Sequence, residues 1–175
     1  MNTNLINLLS ILISSVSYAL VILLVFRLLR VNYYNPIVKS LVKILNPLSV
    51  AFTSLMGGLL GIFAAALLFK FLSFYMITGS TYELYDLFVY AALNILSSIS
   101  QILLFAVIGG VILSWVSPGN PHPLLQLIEE ISNKIMSPIR NYIPAMGGLD
   151  FSPLFVLILL NQVDILLAQI ARVLL

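Results

Sequence analysis

The chain has 175 residues, 61% of them hydrophobic and only 8% charged, with a mean hydropathy of +1.12. A soluble domain carries about 25% charged residues, so the composition excludes an ordinary water-soluble protein and implies several membrane spans. Eight Lys and Arg against six Asp and Glu leave a net charge of +2, without the clustered basic face that nucleic acid requires.

The first apolar run, Leu5 to Phe26, is long enough to cross a bilayer. Met1-Asn2-Thr3-Asn4 before it carries no positive charge and the run exceeds a signal-peptide core, so it reads as a retained span closed by Arg27 and Arg30. After the turn Tyr33-Tyr34-Asn35-Pro36, the pattern over 36–48 becomes amphipathic. Val38, Leu41, Val42, Leu45 and Leu48 recur at helical spacing, opposite Lys39, Ser40, Lys43 and Asn46. Such a helix lies in the headgroup region with its lysines toward anionic lipid.

The second span is expected over 51–77. It holds Gly57, Gly58 and Gly61 near one end and Lys70 near the other, where a lysine can snorkel to the interface. A short polar loop, 78–86, precedes a third span over 87–116 that ends in Trp115. Asn94, Ser98 and Gln101 fall on one face of it. This stripe is expected to bind neighbouring helices by hydrogen bonds, with a substrate path as the alternative. The rigid turn Ser117-Pro118-Gly119-Asn120-Pro121-His122-Pro123 leads into a second amphipathic helix, 124–136, with His122 read as a solvated turn residue. The fourth span, 153–175, carries Asp164 at its middle. An acid there points inward and pairs, so it is either a structural partner or a proton or ion site.

Between the last two helices lies Ser137 to Pro153, with three prolines, a glycine pair, Arg140 and Asp150. It reads as a shaped connector, with Ser152 capping the last helix and Pro153 in its first turn. Arg140 and Asp150 are placed to pair across it. Chemistry-bearing motifs are otherwise absent. No nucleophile–base pair, phosphate loop or dinucleotide fingerprint occurs, and a single histidine without cysteine makes a poor metal site. No catalytic, cofactor or metal residue is therefore assigned. Without cysteine there is also no disulfide framework or cysteine-linked lipid.

The halves 1–77 and 87–175 match as span, turn, amphipathic helix, Pro, Gly-Gly, span, with Leu55-Met56-Gly57-Gly58-Leu59 opposite Ala145-Met146-Gly147-Gly148-Leu149. Two spans per unit set both units the same way up, as a parallel repeat. The expected fold is thus an all-α membrane protein of four transmembrane helices in two parallel span–amphipathic helix–span repeats. Lys and Arg concentrate in the two amphipathic connectors, which places these in the cytoplasm and both termini outside.

The block Pro144-Ala145-Met146-Gly147-Gly148-Leu149-Asp150-Phe151-Ser152-Pro153, preceded by Pro138-Ile139-Arg140, resembles the signature of the YggT family of bacterial inner-membrane proteins. Ser114-Trp115-Val116 and Tyr34-Asn35-Pro36 fit the same pattern. The first half departs from it, with Ser49, Ser54 and Leu60 where the second has Arg140, Pro144 and Asp150. The resemblance implies a protein linked to osmotic or envelope stress. Photosynthetic relatives are associated with haem attachment to a b-type cytochrome, and others with division. A non-enzymatic assembly or scaffold factor acting on a membrane partner follows as the expectation. Its candidate surface is Pro138, Arg140, Pro144, Met146, Gly147, Gly148, Asp150, Ser152 and Pro153. The alternative is a small oligomeric channel or transporter lined by Asp164, Asn94, Ser98 and Gln101.

Overall fold

Runs of Leu, Ile, Val and Phe interrupted only by small polar residues satisfy their backbone polar groups within the segment as helix. The computed structural model describes residues 3–79, 81–143 and 150–174, and it is all-helical over them. Six helices follow in order: α1 Thr3–Leu28, α2 Pro36–Met56, α3 Gly58–Thr78, α4 Leu84–Val116, α5 Pro123–Arg140 and α6 Ser152–Leu174. All but α5 are long and apolar enough to cross a membrane.

Serines cross-link the helix pairs. Ser17 Oγ donates to the Ala66 carbonyl at 2.8 Å and Ser73 Oγ to the Ser10 carbonyl at 2.9 Å. Between them, Lys70 Nζ donates to Ser14 Oγ at 2.9 Å. Residues 10, 14 and 17 thus meet 73, 70 and 66, so α1 and α3 run antiparallel. In the second half, Ser100 Oγ reaches the Leu160 carbonyl at 3.2 Å and Ser97 Oγ reaches Asp164 at 3.2 Å, so α4 and α6 are antiparallel too. Lipid offers apolar side chains no worse a home than another helix does, so packing and such bonds, at about 0.6 kcal/mol each, hold spans together. Leu20, Leu23 and Leu24 of α1 pack with Ile62, Ala65 and Ala66 of α3, Leu45 of α2 and Ile95 of α4.

Antiparallel pairing constrains the amphipathic helices. α2 joins the end of α1 to the start of α3, and both lie at one end of that pair. α5 joins the corresponding ends of α4 and α6. The two joints touch: Asn35 Nδ2 donates to the Pro123 carbonyl at 2.7 Å, and the Asn32 N–H to Glu130 Oε1 at 2.8 Å. Lys134, ion-paired with Glu130 at 2.8 Å, also donates to the Arg30 carbonyl. Phe26, Val31 and Val38 complete the joint by packing against Ala106, Leu127 and Ile131.

Four boundaries correct the sequence reading. The first amphipathic helix is expected over 36–48, but α2 continues through Pro47 to Met56. Proline removes one N–H without stopping the apolar run beyond it. The chain breaks instead at Gly57, whose φ of +84° suits glycine. The second span accordingly begins at Gly58, later than residue 51. Pro138 likewise lies inside α5, which runs to Arg140 rather than stopping at residue 136. α4 begins at Leu84, shortening the expected 78–86 loop.

Candidate functional site

The site forms where α4 ends, α5 lies alongside it and α6 begins. Arg140 sits in the last turn of α5, where a cation favours the helix dipole. Its Nε donates to Asp150 Oδ2 at 2.8 Å, its Nη1 to Asn133 Oδ1 at 3.2 Å, and its Nη2 makes a 3.9 Å contact with Met136 Sδ. Asp150 serves both sides. Its second oxygen, Oδ1, accepts the Ser152 N–H at 2.9 Å and so opens α6. This corrects the expected cap: the acceptor comes from Asp150 in an Asx-type turn, not from the Ser152 hydroxyl. Partial burial opposes ionisation of Asp150, but the Ser152 amide and the Arg140 guanidinium outweigh it and hold the carboxyl below its ordinary pKa.

Beside this clasp opens a cleft of about 480 Å³, lined by Gly110, Ser114 and Trp115 of α4, Pro118 and Gly119, and Glu129, Ser132, Asn133, Met136 and Arg140 of α5, with Asp150 and Pro153 closing it. Its size lies within the range of ligand sites, about 300–1,000 Å³. α5 approaches α4 closely because position 110 is glycine: a Cβ there would lie 2.2 Å from Ser132 Oγ. The Ser132 hydroxyl is buried and has no hydrogen-bond partner among the described residues, nor has that of Ser152. Trp115 is 82% exposed on the rim.

Of the candidate surface, Arg140, Asp150 and Pro153 converge on the cleft, Ser152 is buried beneath them, and Pro138 falls within α5. Pro144, Met146, Gly147 and Gly148 lie outside the described residues. Glu129, Ser132 and Asn133 were missed. They share one face of α5 at 129, 132, 133, 136 and 140, a spacing visible in the sequence but read there only as polarity.

The intramembrane polar residues assemble differently from the expected stripe. The hub is Ser97, whose hydroxyl reaches Asp164 and accepts from Gln101 Nε2 at 3.3 Å. Ser98 only bonds the Asn94 carbonyl of its own helix at 2.8 Å. Asn94, Ser97 and Asp164 face a shallow cavity of about 250 Å³ with Tyr90. Lys70, the residue near the end of the expected second span, is tied to α1. It holds Ser14, with its ammonium 4.9 Å from the Phe74 ring centroid. His122 is more than a turn residue, because its Nδ1 accepts the Leu124 N–H and caps α5. Among the described residues no group of three or more His, Asp or Glu side chains is placed to hold a metal ion.

The turn between α2 and α3 is fastened by other means. Ser49 and Leu60 stand where the second half has Arg140 and Asp150, and Ser49 Oγ bonds only the Asn46 carbonyl of its own helix. Arg27, from the end of α1, donates instead to Asn46 Oδ1 at 3.1 Å and lies against Gly58.

Apolar helices knit by serines, with a clasped amphipathic helix at the bundle end, define a helical membrane protein. A family model described as CCB3/YggT matches residues 89–171, the stretch from α4 to α6. The chain belongs to the CCB3/YggT family. It is 32% identical over 160 residues to a Pseudomonas aeruginosa protein named Uncharacterized protein PA0392, covering 85% of this chain and 81% of that one. A Haemophilus influenzae relative is 31% identical over 139 residues, covering 76% of each chain. The Escherichia coli K12 protein named Uncharacterized protein YggT is 25% identical over 145 residues, 81% of this chain and 77% of that one. No solved structure matches the chain.

Proposed function

We propose that this protein is a non-enzymatic assembly or scaffold factor of the bacterial inner membrane, acting in osmotic or envelope stress. A membrane partner docks on the surface around the Arg140–Asp150 clasp. The supporting observation is the clasp itself: both charged side chains remain substantially exposed, 41% and 37%, while fixing the angle between α5 and α6. An exposed ion pair contributes only about 0–1 kcal/mol, so its value lies in the shape it presents.

Four spans, α1, α3, α4 and α6, cross the bilayer in this reading, as two parallel repeats. α2 and α5 lie across one end, since each joins helix ends on the same side. Six of the eight Lys and Arg (Arg27, Arg30, Lys39, Lys43, Lys134 and Arg140) gather at that end, which supports a cytoplasmic placement with both termini periplasmic. Photo-cross-linking from position 142, whose tyrosine is 85% exposed beside the clasp, tests the partner. One specific cross-linked membrane protein is expected, lost in Arg140→Asp and in Asp150→Arg and regained in the double variant. Single variants that cross-link normally, or a double variant that restores nothing, refute the role of the clasp.

A second reading, a small channel built by self-association, is favoured by the Gln101–Ser97–Asp164 chain and by Asn161, Gln162 and Gln169, which α6 leaves exposed. Cross-linking from position 162 to a second copy, together with ion flux lost in Asp164→Asn, would support it over the scaffold.

A further inference from the structure

The cleft beside the clasp has a charge and hydrogen-bond inventory that its own residues do not close. Arg140 and Asp150 neutralise each other. Glu129 also lines the cleft and belongs to neither of the two ion pairs among the described residues, so one negative charge is left over. Among the described residues, three donors are left over as well. The Ser132 hydroxyl is 1% exposed and unpartnered. Asn133 uses its Oδ1 to hold Arg140, which leaves its amide nitrogen for another acceptor. Arg140 Nη2 has only a thioether sulfur, a weak acceptor. A buried hydroxyl left without a partner forfeits its hydration unrepaid, and such a cost points to a ligand atom that relieves it.

Leftover donors beside one leftover carboxylate are complementary to a zwitterion whose anionic and cationic groups are close together. Glu129 and the Ser132–Asn133 pair stand about one helical turn apart on the same face of α5, about 5 Å along the axis. A phosphate and an ammonium joined by a two-carbon bridge can reach both.

The surroundings indicate a lipid. Trp115, Ile112, Ile108 and Phe105 are all exposed, and they recur at i, i−3, i−7 and i−10 along α4. This apolar track starts at the cleft rim and descends the span, where an acyl chain would lie. Trp115 itself suits the headgroup level.

We propose that the cleft is a binding site for phosphatidylethanolamine. The headgroup phosphate accepts from Ser132, Asn133 and Arg140, the primary ammonium meets Glu129 beside the Trp115 ring, and one acyl chain follows the α4 track. The inference stands apart from the scaffold reading, because lipid retention is measured on the isolated chain. A missing cross-linked partner bears on that reading alone.

The test is native mass spectrometry of the full purified chain, stripped of lipid and returned to micelles with equal phosphatidylethanolamine and phosphatidylglycerol. The unaltered protein should retain phosphatidylethanolamine at least about tenfold over phosphatidylglycerol, the factor one charged hydrogen bond supplies. Glu129→Gln should remove that preference, and Ser132→Ala should weaken retention of both lipids. Glu83→Gln, before α4 at the other end of the bundle, should change neither. Equal retention of the two lipids by the unaltered protein overturns the proposal, and that comparison does not depend on any variant folding. A preference undiminished in Glu129→Gln overturns it too. Soluble glycerophosphoethanolamine binding as tightly as the lipid would also do so, because the acyl track would then contribute nothing.

Discussion

Among the described residues, three glycines leave less than 3.0 Å between an added Cβ and a neighbouring helix, and the atom each faces predicts a graded response to alanine. At Gly61 of α3, an added Cβ would lie 2.5 Å from the Thr53 nitrogen and Cα and 2.6 Å from the Phe52 carbonyl carbon. These are main-chain atoms of α2, so the helices themselves must separate by about 1 Å to restore van der Waals contact. Overpacking of this kind costs about 1–3 kcal/mol, and rigid backbone places the site at the upper end. The gain from alanine over glycine in a helix, about 1 kcal/mol, offsets part of it. Gly61→Ala should therefore lose about 2 kcal/mol. At Gly110 the obstacle is the Ser132 side chain, 2.2 Å from Oγ and 2.4 Å from Cβ. The hydroxyl can turn away but the Cβ moves only with the backbone, so Gly110→Ala should also lose about 2 kcal/mol, part of which Ser132→Gly should recover by removing both atoms. At Gly109 the obstacle is the tip of Ile128, Cγ2 at 2.9 Å. A methyl can turn away, so Gly109→Ala should lie within about 0.5 kcal/mol of the unaltered protein. Unfolding midpoints in one detergent measure the series, at about 2–4 °C per kcal/mol for a chain of this size. A Gly61→Ala midpoint equal to that of Gly109→Ala would refute the close approach of α2 to α3.

The polar seam and the clasp allow further checks. Ser97→Ala, which severs Asp164 and Gln101, should cost about 1 kcal/mol in unfolding measurements, the sum of two bonds at about 0.6 kcal/mol each, whereas Ser98→Ala should cost almost nothing. Equal effects would contradict the hub. Because the folded pKa of Asp150 is depressed, its contribution is present above the unfolded value of about 3.9 and is lost as pH falls through the lower folded value. Fluorescence of Trp115, the single tryptophan, should shift in acid below about pH 4, and the shift should vanish in Asp150→Asn. In lipid-stripped micelles, Ser132→Ala should be as stable as the unaltered protein or more so, since it deletes a hydroxyl that none of the described residues satisfies. A loss above about 1 kcal/mol would mean the hydroxyl has a protein partner.

Helical spacing and turn chemistry made much of this molecule readable in advance. The apolar runs announced the helices, the 36–48 and 124–136 patterns announced their amphipathic character, and Arg140 and Asp150 were placed as partners across their turn. Misreadings came where a local rule met distant geometry. Pro47 is a helix breaker by its chemistry, yet the apolar residues beyond it continued the helix, and only the glycine at 57 could supply the positive φ of the break. Asp164 announced the need for a partner, but Ser97 was indistinguishable in sequence from Ser98 until the rotation of α4 against α6 was known. Arg27 reads in the sequence only as closing the first span, whereas its contact with Asn46 depends on how α2 folds back over the end of α1. The cleft had no signature at all, because its lining comes from three helices and its entrance depends on the missing side chain at Gly110.

The joint between the halves has a consequence for how the chain can vary. Lys134 grips the Arg30 carbonyl, Glu130 the Asn32 N–H, and Asn35 the Pro123 carbonyl. Each pairs a side chain of one half with main chain of the other. Main chain is common to every residue type apart from proline's missing N–H, so one member of each contact is nearly immune to mutation. Arg30 and Pro123 can be exchanged for other residues without losing the acceptor they provide. Sequence drift in one half therefore need not be matched by drift in the other.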